Sequence, residues 1–504
     1  MRNFKVLAAA FGAALLVAAC GGGDGGSLGT QNAAPGRGAL MQTPPPRITS
    51  MTAADFTALL TAKSASLLQL AGTPVCGVDV QYIKYGTVGA KGEATDASGA
   101  LIVPTGSNAK CTGARPIVLY AHGTNITKSY NLANITDETN QAFSEAVLLS
   151  ALYAAQGYIV VAPNYAGYDS SSLSYHPYLN ADQQSKEMID ILAAAKTALP
   201  TLMNPTTASA KLFVTGYSQG GHVAMATHRA MQAAGIPVTA SAPMSGPYAL
   251  AAQSDATFYG MVNAGSTIFT PMIFGSYQQA YGNLYSTPAD IYESTYATGI
   301  ESLLPGAYDF TSVVTSGKLP QLALFNSTPP AAAFAAITPP TGTGATDALF
   351  AMGFGTSNLI KNSVRLAYLA DAAAHPDGIF PSVPNVVRAA GHSTSCSAPF
   401  MDASRIPGFP EKESAVNCRI CACIKPGTTR SRAATTHLMA FQTRLTRMAP
   451  KTGYSPIGAA NTMQFANIPF NYASLANQRH ARLTDNGQPT KAGAPRRPAL
   501  PAVL

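Results

Sequence analysis

Apolar residues in this chain follow two spacings. Short, nearly continuous apolar runs recur, and longer stretches between them carry apolar residues three and four positions apart. The first kind suits buried strands and the second suits amphipathic helices. Taken in order, the pattern predicts a helix over 53–70, an alternating strand over 78–85, and further strands over 101–104 and 116–121. It continues with a helix over 138–156, a strand over 157–163, a Tyr/Gly/Ser loop over 164–178 and a helix over 181–199. A strand over 211–215, a helix over 223–234 and a strand over 238–244 complete the series. The last helix shows its stripe as Val223, Ala226, Ala230 and Ala234. Strand and helix in this rhythm predict an α/β fold built on a doubly wound, mostly parallel sheet.

The junction between the 211–215 strand and the following helix reads Gly216-Tyr217-Ser218-Gln219-Gly220-Gly221-His222. It fits G-x-S-x-G, the nucleophile elbow of α/β-hydrolases, and it stands in the required strand–turn–helix context. A turn this sharp forces the serine into strained backbone angles. Side chains at the two flanking positions would collide with their neighbours, so both are glycine. Ser218 is therefore the candidate nucleophile. The free N–H groups and partial positive charge of the helix start lie where an oxyanion develops. Upstream, Pro116-Ile117-Val118-Leu119-Tyr120-Ala121-His122-Gly123-Thr124-Asn125 runs a strand into a His-Gly loop. This loop supplies the second oxyanion donor in such folds. The N–H groups of Thr124 and Gln219 are the candidates. His122 precedes the serine, whereas the base of this fold follows it, so His122 reads as a structural brace.

The 504 residues are 47% hydrophobic and 11% charged. That is enough for one large domain with an insertion, or for two domains. Residues 1–20 form an export signal, with Arg2 and Lys5 ahead of an apolar stretch over 6–19 that is too short for a comfortable membrane span. Val17-Ala18-Ala19-Cys20 resembles a bacterial lipobox, which implies lipidation of Cys20. The alternative is a signal peptide that merely contains a cysteine, and either reading puts the mature chain outside the cytoplasm. Residues 21–50, rich in Gly, Pro, Ser and Thr, read as a flexible linker. Cys76 and Cys111 suit a disulfide in an oxidising compartment, against the alternative of two buried thiols.

Three segments together resemble the secretory lipase family, α/β-hydrolases related to yeast lipase A with bacterial lipoprotein members. They are Val118-Leu119-Tyr120-Ala121-His122-Gly123-Thr124, Asn164-Tyr165-Ala166-Gly167-Tyr168 with His176-Pro177-Tyr178, and the elbow itself. The resemblance spans roughly 75–380. It implies ester hydrolysis without a metal or organic cofactor, a core over 51–246 and a cap inserted over 247–380. Within that cap, Met272-Ile273-Phe274, Leu322-Ala323-Leu324-Phe325 and Leu349-Phe350-Ala351-Met352 are either an acyl pocket or the cap's own core.

Beyond 380 the text changes. Residues 381–504 hold 15 Lys/Arg against 4 Asp/Glu, which accounts for the net charge of +8. Buried-strand runs vanish and four cysteines, Cys396, Cys418, Cys421 and Cys423, appear. The family pattern places an Asp-Pro turn and a later histidine here. The turn is missing, and the only aspartates and histidines are Asp402, Asp485, His392, His437 and His480. Three readings stay open: a basic tail for anionic lipid or nucleic acid, a weak metal cluster, or a shifted reading frame. The triad acid and base are left unassigned. Three functions follow: an extracytoplasmic serine lipase or carboxylesterase, a catalytically inactive lipoprotein using the scaffold for binding, or a peptidase of the same fold. The partners expected are an acyl ester or lipid substrate and, through Cys20, the membrane, with no nucleic acid.

Overall fold

Seven strands form one sheet: β1 (Arg47–Met51), β2 (Gly77–Val88), β3 (Ala94–Thr105), β4 (Gly113–Ala121), β5 (Ile159–Pro163), β6 (Thr206–Tyr217) and β7 (Ala240–Met244). They come from a computed structural model that describes residues 35–326 and 353–374. The spatial order is β1-β2-β3-β5-β4-β6-β7. Strands β5, β4, β6 and β7 pair parallel, whereas β1, β2 and β3 pair antiparallel up to the β3–β5 junction. The central register sets Ile117, Val118 and Leu119 beside Ile159, Val160 and Val161 on one side and Leu212, Phe213 and Val214 on the other. Parallel strands are buried on both faces because crossover helices cover them, which is why these runs are apolar at every position.

Helices α1 (Ala53–Lys63), α2 (Ala65–Ala71) and α3 (Phe143–Leu152) pack in series, α1 on β2. The longer α4 (Ala181–Ala198) and α5 (Gln219–Ala233) pack side by side. Of these, α4 crosses β2 and β5, and α5 crosses β4, β6 and β7. Successive strand side chains point to opposite faces, and β2 is buried at ten of its twelve positions, so both of its faces are covered. The disulfide Cys76–Cys111 joins the residue before β2 to the segment before β4, with an S–S distance of 2.04 Å.

Several boundaries differ from the sequence expectation. The linker reading of 21–50 does not hold for 35–50. Arg37 binds Asp190 at 2.9 Å, Met41 N–H donates to Lys84 O at 2.9 Å, and β1 pairs with β2. The long outer strand β2 offers unpaired backbone groups, and this segment covers them. The helix expected over 53–70 breaks at Ser64. The one expected over 138–156 begins only at Phe143, because Asp137 and Asn140 take the N–H groups of Thr139 and Ala142 and hold a turn. Strand β6 starts early, at a polar stretch that pairs with Gly113–Arg115. Helix α5 starts at Gln219, its first turn hidden in the sequence by Gly220 and Gly221, which are poor helix formers.

A second apolar cluster gathers residues from 250–325 and 359–368 with Ile126, Tyr178 and Leu179. Among the described residues its α-helices are α6 (Leu250–Phe258), α7 (Ser266–Tyr281), α8 (Ser294–Ala297), α9 (Ser312–Thr315) and α10 (Asn362–Ala374). Met272, Phe274, Leu324 and Phe325 are buried within this cluster. The guanidinium of Arg365 lies 4.8 Å from the Phe325 ring centre and donates to Phe258 O. Leu349, Phe350, Ala351 and Met352 lie outside the described residues, as do 1–34 and 375–504.

Candidate active site

At the end of β6 the chain turns through Ser218, at φ 57° and ψ −121°, and enters α5. A serine at positive φ costs of order 1–3 kcal/mol and persists only where its surroundings enforce it. Here they do. Ser218 N–H donates to Met244 O of β7 at 3.0 Å, and Gly221 N–H returns to Ser218 O at 2.9 Å. A Cβ at Gly220 would lie 1.9 Å from Ala121 O, and one at Gly216 would lie 2.3 Å from Gly220 O. The turn therefore closes only with glycine at both positions.

The loop after β4 crosses over this turn. A Cβ built on Gly123 would lie 3.5 Å from Tyr217 O and 3.8 Å from Ser218 Cβ, so the Gly123 backbone is the serine's neighbour. Thr124 follows it. Among the described residues, neither the Thr124 N–H nor the Gln219 N–H has a hydrogen-bond acceptor. Both donors therefore stand unspent beside a half-buried serine at the start of a fifteen-residue helix.

The described histidines are committed elsewhere. His122 is fully buried. Its ring nitrogens face Gly123 O at 2.7 Å and Asn164 O at 3.1 Å, and the ring stacks on Tyr165 at 4.1 Å. It braces the loop, and burial lowers its pKa. His176 lies against Gln219 and Ala166. His222 Nδ1 faces Pro247 O at 3.1 Å, and burial lowers its pKa to about 4. His228 pairs with Ser241 Oγ at 2.7 Å. Among the described residues no imidazole or carboxylate is hydrogen-bonded to Ser218 Oγ, and no cluster of three or more His, Cys, Asp or Glu could hold a metal ion. The tail candidates Asp402, Asp485, His392, His437, His480, Cys396, Cys418, Cys421 and Cys423 lie outside the described residues, as does Cys20.

Sequence reading did not assign a role to His176 or Tyr178. Tyr178 OH lies 2.8 Å from Thr124 Oγ1, and His176 Nε2 lies 2.7 Å from Gln219 Nε2. The His-Pro-Tyr triplet in an otherwise Tyr/Gly/Ser loop was the available signal.

Sheet order, elbow and covering helices give this chain the α/β-hydrolase fold. Comparison with known proteins agrees. The model of the prolyl oligopeptidase family matches residues 143–239, the segment from α3 to the edge of β7. No curated protein matches. Among solved structures, the rice cell wall degrading esterase LipA from Xanthomonas oryzae is 26% identical, at a TM-score of 0.54, over 71% of this chain and 79% of that one. A ligand-bound form of that esterase aligns equally. Candida antarctica lipase A aligns at 14% identity and a TM-score of 0.38, over 55% of this chain and 57% of that chain. The resemblance to the secretory lipase family therefore stands at the level of the α/β-hydrolase fold.

Proposed function

We propose that this protein is a serine hydrolase that cleaves acyl esters through an acyl-enzyme. The observation that carries the reading is Ser218 at φ 57° on the elbow, beside two unspent N–H groups. Ser218 Oγ attacks the ester carbonyl carbon while its proton passes to a histidine base. The N–H groups of Gln219 and Thr124 stabilise the tetrahedral oxyanion. The carbon–oxygen bond to the alcohol breaks as the base returns the proton to the leaving group. Water then attacks the acyl-enzyme by the same route and frees the acid. None of the described histidines is assigned as this base, since each is hydrogen-bonded to another group.

The likeness to LipA supports an ester as substrate. The test is hydrolysis of p-nitrophenyl butyrate by the purified chain, with covalent labelling by a fluorophosphonate. Ser218→Ala is expected to abolish labelling and to lower kcat by about 10³-fold or more, with folding unchanged. Activity within a few-fold of wild type would sink the assignment. Wild-type protein that neither labels nor turns over would favour the inactive binding module instead.

The prolyl oligopeptidase match favours a second reading, a peptidase. It is distinguished by cleavage of a prolyl anilide in preference to the butyrate ester. We further propose that the chain is exported and anchored through a lipidated Cys20. Cys20→Ser should release it from the membrane fraction or block its processing, and an unchanged distribution and cleavage site would reject the anchor.

A further inference from the structure

The loop after β5 ends in His176-Pro177-Tyr178, and this triplet touches both residues whose N–H groups flank Ser218. His176 Nδ1 lies 2.9 Å from Ala166 O. A carbonyl oxygen only accepts, so Nδ1 carries the ring proton and Nε2 presents a lone pair. Gln219 Nε2, 2.7 Å away, therefore donates to the imidazole. Two residues on, the Tyr178 hydroxyl and Thr124 Oγ1 share a hydrogen bond of 2.8 Å. His176, Tyr178 and Gln219 are all buried.

We propose that His176 and Tyr178 are positioning residues that hold the oxyanion hole in register, His176 through the Gln219 side chain and Tyr178 through that of Thr124. The proposal rests on the reading of Ser218 as an acyl-transfer nucleophile. Its physical basis is tolerance: donors act only when aimed at where the oxyanion forms, and a misplacement of about 1 Å can cost about 10²-fold in rate.

The choice of glutamine supports it. Gln219 Oε1 is buried without a hydrogen-bond partner. A buried, unpaired amide oxygen is costly, and methionine fills similar space with no such cost. Packing alone does not call for an amide here; a donor to His176 does. The strap is itself fixed. The His176 ring stacks on Tyr165 at 5.5 Å and leans on Tyr168 at 4.8 Å. Leu179 takes φ 54°, and its carbonyl accepts the Tyr277 hydroxyl of α7 at 3.1 Å. His176 is not the general base, because Nε2 is engaged by Gln219 and burial lowers its pKa to about 3.

The test uses the full chain with p-nitrophenyl butyrate, thermal unfolding and fluorophosphonate labelling. Gln219→Met is expected to lower kcat by about 10- to 100-fold, leave KM within about twofold, and leave the unfolding midpoint unchanged or higher. A purely structural glutamine would give the opposite split. His176→Phe should lose a similar factor, and the double variant should lose no more than the worse single, because both remove one contact. His176→Gln, which keeps an acceptor near the Nε2 position, should recover most of the rate. Tyr178→Phe should cost about 3- to 10-fold and be non-additive with Thr124→Val. Wild-type kcat in Gln219→Met, or losses that multiply in the double variant, would overturn the strap while Ser218 labelling still stands. Failure of wild type to label or turn over would overturn the acyl-transfer reading and the strap together.

Discussion

Strands β1, β2 and β3 are set among buried, paired charge, whereas the ends of β5, β6 and β7 carry the strained backbone. On the antiparallel side, Asp79, Asp96, Glu187 and Asp190 are buried, with Arg47, Lys84 and Arg37 beside the three aspartates. On the parallel side, burial lowers the pKa of His122, His176 and His222, and Gln219 is neutral by nature. The non-glycine residues at positive φ among the described ones are Tyr165, Asp169, Leu179, Ser218 and Ser245, and all follow β5, β6 or β7. The difference teaches where each task falls. The parallel side holds the half-buried Ser218 in a costly conformation, and the remainder of the sheet must supply the stability that keeps it there.

The largest effect should come from the elbow itself. Gly220→Ala drives a Cβ to 1.9 Å from the Ala121 carbonyl oxygen, a backbone atom at the end of β4 with no side-chain freedom to yield. Its expected cost is more than about 3 kcal/mol, read as loss of soluble protein or a collapsed unfolding midpoint. Gly92→Ala, in the β2–β3 turn, faces open space at φ +82° and should cost only about 1 kcal/mol. Equal losses at the two sites would erase the contrast.

Next comes the staple on the antiparallel side. Replacing Cys76 and Cys111 together by alanine should cost about 2–4 kcal/mol in chemical denaturation. Ester hydrolysis at room temperature should persist, because Cys111 precedes the Gly113 end of β4 whereas the elbow adjoins its Ala121 end. A stability change under about 0.5 kcal/mol would show that the hairpin holds without it.

Glu187 gives a pH signature. Its Oε1 accepts Ala166 N–H at 2.6 Å and the Tyr85 hydroxyl at 3.2 Å, yet burial dominates and pushes its pKa up to about 7. The folded state therefore binds this proton more tightly than the unfolded state. The stability it contributes is complete below about pH 4.5 and is lost as the pH rises through about 7, by up to about 3 kcal/mol. Urea denaturation between pH 5 and pH 8 should show wild type weakening and Glu187→Gln flat over that window. Parallel slopes would reject the shift.

The smallest effect returns to the elbow. Ser218→Gly relieves the positive φ and should raise stability by about 1 kcal/mol while abolishing labelling. A lower unfolding midpoint would mean that Ser218 is not strained.

Much of this architecture is legible in the chain. The largely apolar runs at 116–121, 157–163, 211–215 and 238–244 mark strands because a doubly covered parallel sheet favours near-continuous apolar residues. The elbow is legible because steric exclusion writes itself as glycine: only Gly216 and Gly220 fit, and their spacing singles out Ser218. Other features left weaker traces. The pairing of 35–50 with β2 was hidden by a composition typical of linkers, since backbone hydrogen bonds need no particular side chain. The polar start of β6 was hidden for the same reason.

By itself, then, the sequence determined the class of fold, the nucleophile candidate and the two cysteines able to meet, because burial periodicity and steric exclusion act through local residue choice. Only the tertiary structure decided the strand order, the placement of Gly123 against Ser218, and the grip of His176 on Gln219 and Tyr178 on Thr124. Those contacts join residues 43 and 54 positions apart, and no local pattern encodes which distant partner a buried hydrogen-bonding group will find.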